Sequence, residues 1–191
     1  LALAAGVTMA EAQAKKFSTN NHTFLTKRFD RTACGERIHF ASAMTLLGYM
    51  DGEDHTEGVS YLELVEFIIT NGANVNEDLE QLWRRIVFSI CVSNTDDHLR
   101  NHGFILTPRG WILSPAFDIN PVETGSGLKL NISDSDNALD LNLALEVSSY
   151  FRLSIEQADQ IIQEVKNAVQ NWRKIARKYG LSPLECELKS T

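Results

Sequence analysis

At positions 94–101 the chain reads Asn-Thr-Asp-Asp-His-Leu-Arg-Asn, a run in which seven of the eight residues are polar or charged. This polar loop follows a segment of strong helical periodicity, whose apolar positions are Leu79, Leu82, Trp83, Ile86, Val87 and Ile90. It precedes a short apolar run at 103–106 that is typical of a buried strand. Polar groups this dense between two buried elements cost free energy unless they face a ligand or a metal. The polar loop is therefore the leading candidate for a functional site.

Within the polar loop, Asp96 and Asn101 stand five residues apart. At this spacing in phosphoryl-transfer enzymes, the acid orients the attacking hydroxyl and accepts its proton, while the asparagine holds magnesium. A second acid, Asp118, follows a predicted hairpin at 103–113. The amide oxygen of Asn101 and the carboxylate of Asp118 are hard ligands of the kind that Mg²⁺ prefers. The spacing alone leaves a metal-dependent phosphohydrolase open, since such enzymes also pair Asp with Asn.

Each of these residues also has a simpler interpretation. Asp96 would cap the preceding helix, and Asp118 would cap a turn beside Pro121. His98 would fix the loop by donating to a main-chain carbonyl, and Asp97 is an additional acid that we expect in solvent. What favours a functional site is the combination, in order, of an acidic loop, the five-residue step, a hairpin and a second acid.

The rest of the chain predicts an α+β fold that is predominantly helical. Residues 1–14 are rich in alanine and predict a helix, and 15–19 and 23–29 predict two strands joined by a turn at 20–22. We interpret 1–34 as one small part, a helix and β-hairpin. Residues 35–191 form the second part, which is mostly helical and carries the polar loop.

Within 35–191, helical spacing begins at Glu36 and recurs in several segments. The predicted helices are 36–48, 61–71, 76–93, 139–147 and 154–180, with N-caps at Asn76 and Ser154. A short strand is predicted at 128–132. The sequence Gly125-Ser126-Gly127 follows the second acid and leads to this strand rather than to a helix, so we interpret it as a turn and not as a phosphate loop.

Composition narrows the class of protein. The 191 residues carry a net charge of −7, which argues against direct binding of nucleic acid, because that binding is driven mainly by neutralisation of phosphates. The three cysteines are scattered, without the spacing of a zinc site, and indicate reduced thiols in a cytoplasmic protein. No apolar run reaches the roughly 20 residues of a membrane span. Because the chain begins with Leu1, we expect a fragment of a longer protein or a processed one.

Three motifs resemble those of HipA-type serine/threonine kinases, the toxins of toxin–antitoxin pairs. Residues 94–101 resemble the N-x-D-x-H-x-K-N loop of that family, and Ser-Pro-Ala-Phe-Asp-Ile at 114–119 resembles its P-x-Y/F-D-I segment. Lys-Arg-Phe-Asp-Arg at 27–31 resembles its E-R-F-D-R strand. The motifs occur in family order, and the resemblance implies a protein-kinase-like C-lobe preceded by a short β-hairpin remnant of the N-lobe.

The resemblance also implies roles for individual residues. Asp96 would be the catalytic base and His98 would support the catalytic loop. Asn101 and Asp118 would bind Mg²⁺. The nucleotide ATP would contact the segment of Arg28, Phe29 and Asp30, with adenine against the backbone of the first two and ribose near Asp30.

The resemblance also implies partners, and it limits the activity that we expect of the fragment alone. The implied partners are a protein substrate and an antitoxin with a DNA-binding domain. The family's known class of substrate includes an aminoacyl-tRNA synthetase. Lys27 replaces the family's Glu, and Arg100 replaces its usual Lys. The family's phosphate-covering loop and nucleotide-gripping lysine lie upstream of the segment with which this chain begins. We therefore expect the fragment alone to be inactive, and a non-catalytic module that binds a partner or a nucleotide is the alternative.

Overall fold

The computed structural model describes residues 1–18, 21–122 and 125–188. Five strands are assigned there: β1 (Ala12–Lys16), β2 (His22–Thr26), β3 (Phe40–Ser42), β4 (Gly103–Thr107) and β5 (Gly110–Leu113). The helices are α1 (Ala43–Leu47), α2 (Tyr61–Asn71), α3 (Val75–Val92), α4 (Leu141–Glu146), α5 (Ile155–Val169), α6 (Trp172–Lys178) and α7 (Pro183–Leu188). Single turns of 3₁₀ helix occur at His55–Glu57 and Ser148–Phe151. The α+β class is confirmed.

The 18-residue helix α3 lies at the centre of the core, packed between α2 and α5. Its predicted apolar face is confirmed, since Leu79, Leu82, Trp83, Ile86, Val87 and Ile90 are all buried. The indole of Trp83 donates to the Ala144 carbonyl at 3.1 Å, which ties α3 to α4. Burial of an aromatic side chain this large contributes roughly 1.5–3 kcal/mol. The helix that precedes the polar loop is therefore firmly anchored.

Two antiparallel sheets flank this helical core. Strands β3, β4 and β5 pair in that order, with Ser42 opposite Gly103 and a tight turn between Thr107 and Gly110. Strands β1 and β2 form a separate hairpin in which all ten residues are exposed. The predicted hairpins are thus confirmed within one to three residues, although position 19 of the first predicted strand and position 20 of the predicted turn lie outside the described residues.

The predicted helix at 1–14 is wrong. Residues 1–6 form turns that end at Gly6, whose φ of 77° lies in the left-handed region, and Ala12 already begins β1. Ala5 and Val7 are buried against the common core, and the Arg84 guanidinium donates to the Ala5 carbonyl at 3.0 Å. Tertiary contacts with α3 therefore override the helix propensity of the alanines. The division of the chain at residue 34 stays a prediction.

Three other predictions need correction. The segment from Glu36 reaches Phe40–Ser42 as a strand before α1 begins, and α3 begins at Val75 after Asn74 rather than at Asn76. The expected strand at 128–132 makes only isolated bridges, although Leu128, Leu130 and Ile132 are fully buried. The expected long final helix ends at Val169, and α6 begins after Asn171. Within the described residues, no helix is both long and apolar enough to cross a membrane.

Candidate functional site

The polar loop begins where α3 ends. Ser93 adopts a left-handed conformation with φ of 55°, and its N–H donates to the Ile90 carbonyl at 3.3 Å. Asn94 is 1% exposed, its Nδ2 donates to Ser89 Oγ at 3.2 Å, and its Oδ1 accepts from the Asn120 N–H at 3.3 Å. The first residues of the loop are therefore fixed on both sides, by α3 and by the segment that follows β5.

Asp96 points away from the core. It is exposed and lines a cleft of about 190 Å³, whose walls include His98, Leu99 and Arg100 of the same loop. Asn101 is 8% exposed, and its Nδ2 donates to the Asp96 main-chain carbonyl at 3.2 Å. This hydrogen bond joins the first and last residues of the five-residue step. It leaves Oδ1 of Asn101 as the acceptor available to a ligand. The loop thus holds Asp96 and Asn101 together.

The β4–β5 hairpin brings Asp118 back to the polar loop. The Ser114 N–H donates to the Gly103 carbonyl at 2.8 Å, so both ends of the hairpin meet beside Asn101. Beyond Asp118, the Val122 N–H donates to the Ser93 carbonyl at 2.9 Å. Asp118 is exposed, has a φ of 55° and accepts one hydrogen bond at Oδ1, from Asn120 Nδ2 at 2.8 Å. The two candidate metal ligands therefore lie on adjacent segments.

Oxygen chemistry at these two residues suits Mg²⁺, which is commonly held by one or two protein ligands while water and substrate phosphates complete its shell. Across residues 1–18, 21–122 and 125–188, no group of three or more His, Cys, Asp or Glu side chains is arranged to hold a metal. A closed cage of protein ligands is thus not assembled from these residues, whereas the amide oxygen of Asn101 and the carboxylate of Asp118 are the hard oxygen ligands that Mg²⁺ prefers.

The candidate nucleotide segment contacts the residue before Asp118. The Phe29 ring lies 5.6 Å from the rings of both Phe40 and Phe117, measured between centroids. Gly103 packs beneath Phe40, because a Cβ added there would lie 2.6 Å from Phe40 Cζ. Among the described residues, the peptide groups of Arg28 and Phe29 have no hydrogen-bond partner. They are free to meet a ligand, as the predicted adenine contact requires.

Asp30 is already engaged by two cations. Its carboxylate accepts from Arg28 Nε and Nη2 at 2.8 and 2.6 Å, and from Arg31 Nη1 at 2.5 Å. The hydrogen bond from Arg28 is the main cause that lowers the pKa of Asp30 to about 2. A ribose hydroxyl would share this carboxylate with the guanidinium groups.

His98 and Arg100 continue along the cleft. His98 Nε2 lies 3.3 Å from Arg100 Nη2, and Arg100 in turn forms an ion pair with Asp51. His98 Nδ1 is buried without a partner among the described residues, so the donor bond to a main-chain carbonyl that we considered for His98 is not formed. Arg100 is directed toward the acidic loop after α1 rather than toward Asp118.

Asp97 corrects an expectation, because it is 4% exposed rather than solvated. It accepts from the Tyr61 hydroxyl at 2.7 Å, and His102 Nε2 lies 3.1 Å from its other oxygen. Burial opposes its ionisation, but the close approach of His102, the hydrogen bond from the Tyr61 hydroxyl and the charge of Arg85 together hold its pKa below the usual value. Asp97 is therefore a buried carboxylate with dedicated partners.

The partners of Asp97 were missed by sequence reasoning, although one signal was present. Arg85 falls on the same helical stripe as Asp78, Leu82 and Ser89, and a cation on an otherwise buried stripe requires a buried acceptor. Its Nη2 donates to the Ser114 carbonyl at 2.6 Å. No comparable signal in the sequence points to Tyr61, which lies 36 residues before its partner.

Known proteins resemble this chain in sequence and in fold. A family model described as the HipA-like C-terminal domain matches residues 1–172. A protein of Haemophilus influenzae, named "Putative kinase", is 30% identical over 87 residues, which are 43% of this chain and 25% of that protein. The chain thus spans a quarter of this curated relative.

Two solved structures share the fold. HipA of Shewanella oneidensis, in a complex with HipB and operator DNA, superposes with a TM-score of 0.78 at 19% identity over 99% of this chain and 50% of that one. The proinflammatory kinase CtkA of Helicobacter pylori gives a TM-score of 0.54 at 12% identity, over 94% of this chain and 84% of that one. The order of the three motifs, the placement of the polar loop and the match over 1–172 lead to one conclusion. The chain belongs to the family of HipA-like C-terminal domains.

Proposed function

We propose that the protein containing this chain is a serine/threonine kinase that transfers the γ-phosphoryl group of ATP to a protein hydroxyl, with Mg²⁺ as its cofactor. The observation that supports this proposal best is the hydrogen bond that joins Asn101 to Asp96, with Asp118 on the adjacent segment. Phosphoryl transfer asks the protein for positioning and charge neutralisation rather than for covalent chemistry. In this proposal 35–191 is the C-lobe of a kinase, and 1–34 carries the hinge and part of the N-lobe.

Asp96 is the catalytic base in this mechanism. Its carboxylate is exposed in the cleft, where a substrate hydroxyl can approach it, and it would orient that hydroxyl and accept its proton during attack. His98, on the same wall, supports the loop through Arg100. The cleft contains none of the candidate nucleotide or metal residues among its lining, which favours it as the entrance for the protein substrate.

Asn101 and Asp118 would hold the cofactor. When bound, Mg²⁺ supplies the positive charge that neutralises the β- and γ-phosphates. Asn101 would contribute Oδ1, since its Nδ2 is used by the Asp96 carbonyl, and Asp118 would contribute its carboxylate. The free peptide groups of Arg28 and Phe29 would accept adenine, beside the three phenylalanine rings.

The partners are proposed from the family and from the neighbouring structure. Shewanella HipA was solved with HipB and operator DNA, which supports an antitoxin with a DNA-binding domain as a partner of this protein. An aminoacyl-tRNA synthetase represents the proposed class of protein substrate, and the cytoplasm is the compartment in which such a substrate occurs.

The test is transfer of labelled γ-phosphate by the full protein carrying Asp96→Asn. We expect the rate to fall by roughly 10²–10⁴-fold, because an asparagine cannot accept the proton. Asp159→Asn, an exposed acid on α5, is the matched control and should keep the parental rate.

Activity of Asp96→Asn within a few-fold of the parent would contradict the assignment of the base. Binding of Mg²⁺·ATP by the parent without any transfer would instead favour the non-catalytic binding module. Hydrolysis of a small phosphoester in the absence of ATP would favour the phosphohydrolase.

A further inference from the structure

Two adjacent arginines on α3 are both buried, yet they serve different parts of the molecule. Arg84, 8% exposed, pairs with Glu80 and Glu164 and donates to the Ala5 carbonyl. Arg85, 3% exposed, points to the candidate site and donates to the Ser114 carbonyl at 2.6 Å. Burial of a guanidinium group costs free energy unless acids and carbonyls compensate its charge, and Arg85 is such a group.

Two buried carboxylates, Asp97 and Asp78, act on Arg85 through their charge. Burial lowers the pKa of Arg85 to about 10, while the charges of Asp97 and Asp78 oppose that shift, so the guanidinium stays charged at neutral pH. Its Nε and Nη1 are buried and have no hydrogen-bond partner among the described residues. The interactions that hold Arg85 are therefore the Ser114 carbonyl and the field of the two acids.

The two groups that hold Arg85 from the loop side, the Ser114 carbonyl by a hydrogen bond and Asp97 by its charge, each lie four residues before a candidate metal ligand. Ser114 precedes Asp118 by four residues, and Asp97 precedes Asn101 by four residues and follows Asp96 directly. Asp97 is itself held from two sides, by the Tyr61 hydroxyl at 2.7 Å and by His102 Nε2 at 3.1 Å. The segment that leads to Asp118 is thus tied to Arg85 by a hydrogen bond, and the segment that leads to Asn101 is attracted to it through the charge of Asp97.

We propose that Arg85 and Asp97 are positioning residues, which together set the separation of Asn101 from Asp118 and so the affinity of the site for a divalent metal. The inference rests on the proposed function, and it adds a task for two residues that touch neither nucleotide nor metal. Mg²⁺ demands near-ideal octahedral geometry, and only two protein ligands are at hand, so a small change in their separation removes one of them from the metal. Misplacement by about 1 Å at a reacting centre can cost ~10²-fold in rate.

The experiment compares Arg85→Lys with Arg84→Lys in the full protein. Lysine keeps the charge but loses the planar fork. Arg84 is a stringent control, because it has three hydrogen-bond partners, whereas Arg85 has one among the described residues. We measure the affinity for Mn²⁺ in the presence of ADP by electron paramagnetic resonance, the Mg²⁺ concentration that gives half-maximal transfer, and the melting temperature. Arg85→Lys should weaken Mn²⁺ binding and raise the Mg²⁺ requirement, each by about 10-fold, whereas Arg84→Lys should only lower the melting temperature.

Tyr61→Phe provides a second variant that keeps every charge and removes one hydrogen bond to Asp97. It should weaken Mn²⁺ binding by about three-fold, in line with the loss of roughly one hydrogen bond at the positioning residue. Equal Mn²⁺ affinities in Arg85→Lys, Tyr61→Phe and Arg84→Lys would overturn the positioning role. Failure of the parent to bind Mn²⁺·ADP at all would overturn the proposed function, and this inference with it.

Discussion

Asp118, a single residue of the candidate site, has a strained backbone conformation. Its φ of 55° places it in the left-handed region, which non-glycine residues rarely adopt and which Asp and Asn tolerate better than most. Backbone strain of this kind is often found at functional sites, where surrounding contacts hold the residue in place. Here the fixed neighbours are Ala116, paired with the segment before β1, and Val122, paired with Ser93.

Replacing Asp118 by glycine separates strain from function. Asp118→Gly should raise the free energy of unfolding by about 0.5 kcal/mol, or leave it unchanged, because glycine adopts this φ without a Cβ clash. Under the proposed function the same change should abolish transfer, since it removes a proposed ligand of Mg²⁺. Urea denaturation and the transfer assay together check this, with Ser93→Gly as the control for relief of strain elsewhere in the site. Destabilisation by more than 1 kcal/mol would show that Asp118 is held for packing.

At the scale of elements, α3 organises the site more than the polar loop does. Asp78, near its first turn, accepts from the Leu113 N–H at 3.0 Å, and Arg85 holds Ser114, so one helix fixes the exit of β5 at two points. The far end of α3 fixes Asn94 through Ser89. The segments that carry the candidate ligands on either side of the hairpin are thus both hydrogen-bonded to one helix.

The contact between Asp78 and β5 predicts a dependence of stability on pH. Burial is the main cause that raises the pKa of Asp78 from 3.8 to about 6, while the Leu113 N–H and Arg85 oppose the shift. Because the folded pKa is the higher one, the contribution of Asp78 to stability is present below pH 4 and is lost as pH rises through 6.

Asp78→Asn keeps an acceptor for Leu113 and removes the charge. The difference in free energy of unfolding, variant minus parent, should therefore be larger at pH 8 than at pH 5 by about 1 kcal/mol. Urea denaturation followed by tryptophan fluorescence at the two pH values measures the gain. The exposed Asp159→Asn should show none, and a gain for Asp78→Asn at pH 5 that disappears at pH 8 would refute the assignment.

Sequence reasoning succeeded where local pattern decides structure. The apolar face of α3 and the β4–β5 hairpin depend on residues that are close along the chain, and both predictions are confirmed. The roles of Asp96, Asn101 and Asp118 stay predictions. It failed where distant contacts decide, as for residues 1–14, which pack on α3, and for Asp97, whose acceptor role depends on Tyr61. Polarity alone cannot distinguish a solvated acid from a buried one whose donors come from another helix.

At the scale of the whole molecule, one core reaches from Ala5 to Val165, and the β1–β2 hairpin stands outside it. A two-stranded hairpin without a buried face has marginal stability of its own. Stability is therefore distributed unevenly, with α3 in the most stable region and the β1–β2 hairpin in the least stable one.

Native-state hydrogen exchange followed by mass spectrometry should reveal this gradient in the chain of residues 1–191. We expect the amides of α3 to exchange only through global unfolding, and those of β1 and β2 to exchange at least ~100-fold faster. Leu82→Ala should accelerate exchange in α3 strongly and leave the hairpin unchanged, because the hairpin already opens independently. Equal protection of hairpin and α3 would contradict this distribution.

The short parallel pairing between Met9 and Ala116 has a mechanical consequence. The Ala116 N–H donates to the Thr8 carbonyl at 2.8 Å, and the Ala10 N–H donates to the Ala116 carbonyl at 2.9 Å. The first strand begins two residues beyond Ala10, and Asp118 lies two residues beyond Ala116. The pairing thus links the start of β1 directly to the segment of Asp118, and we expect a change in the orientation of the hairpin to alter the position of that carboxylate.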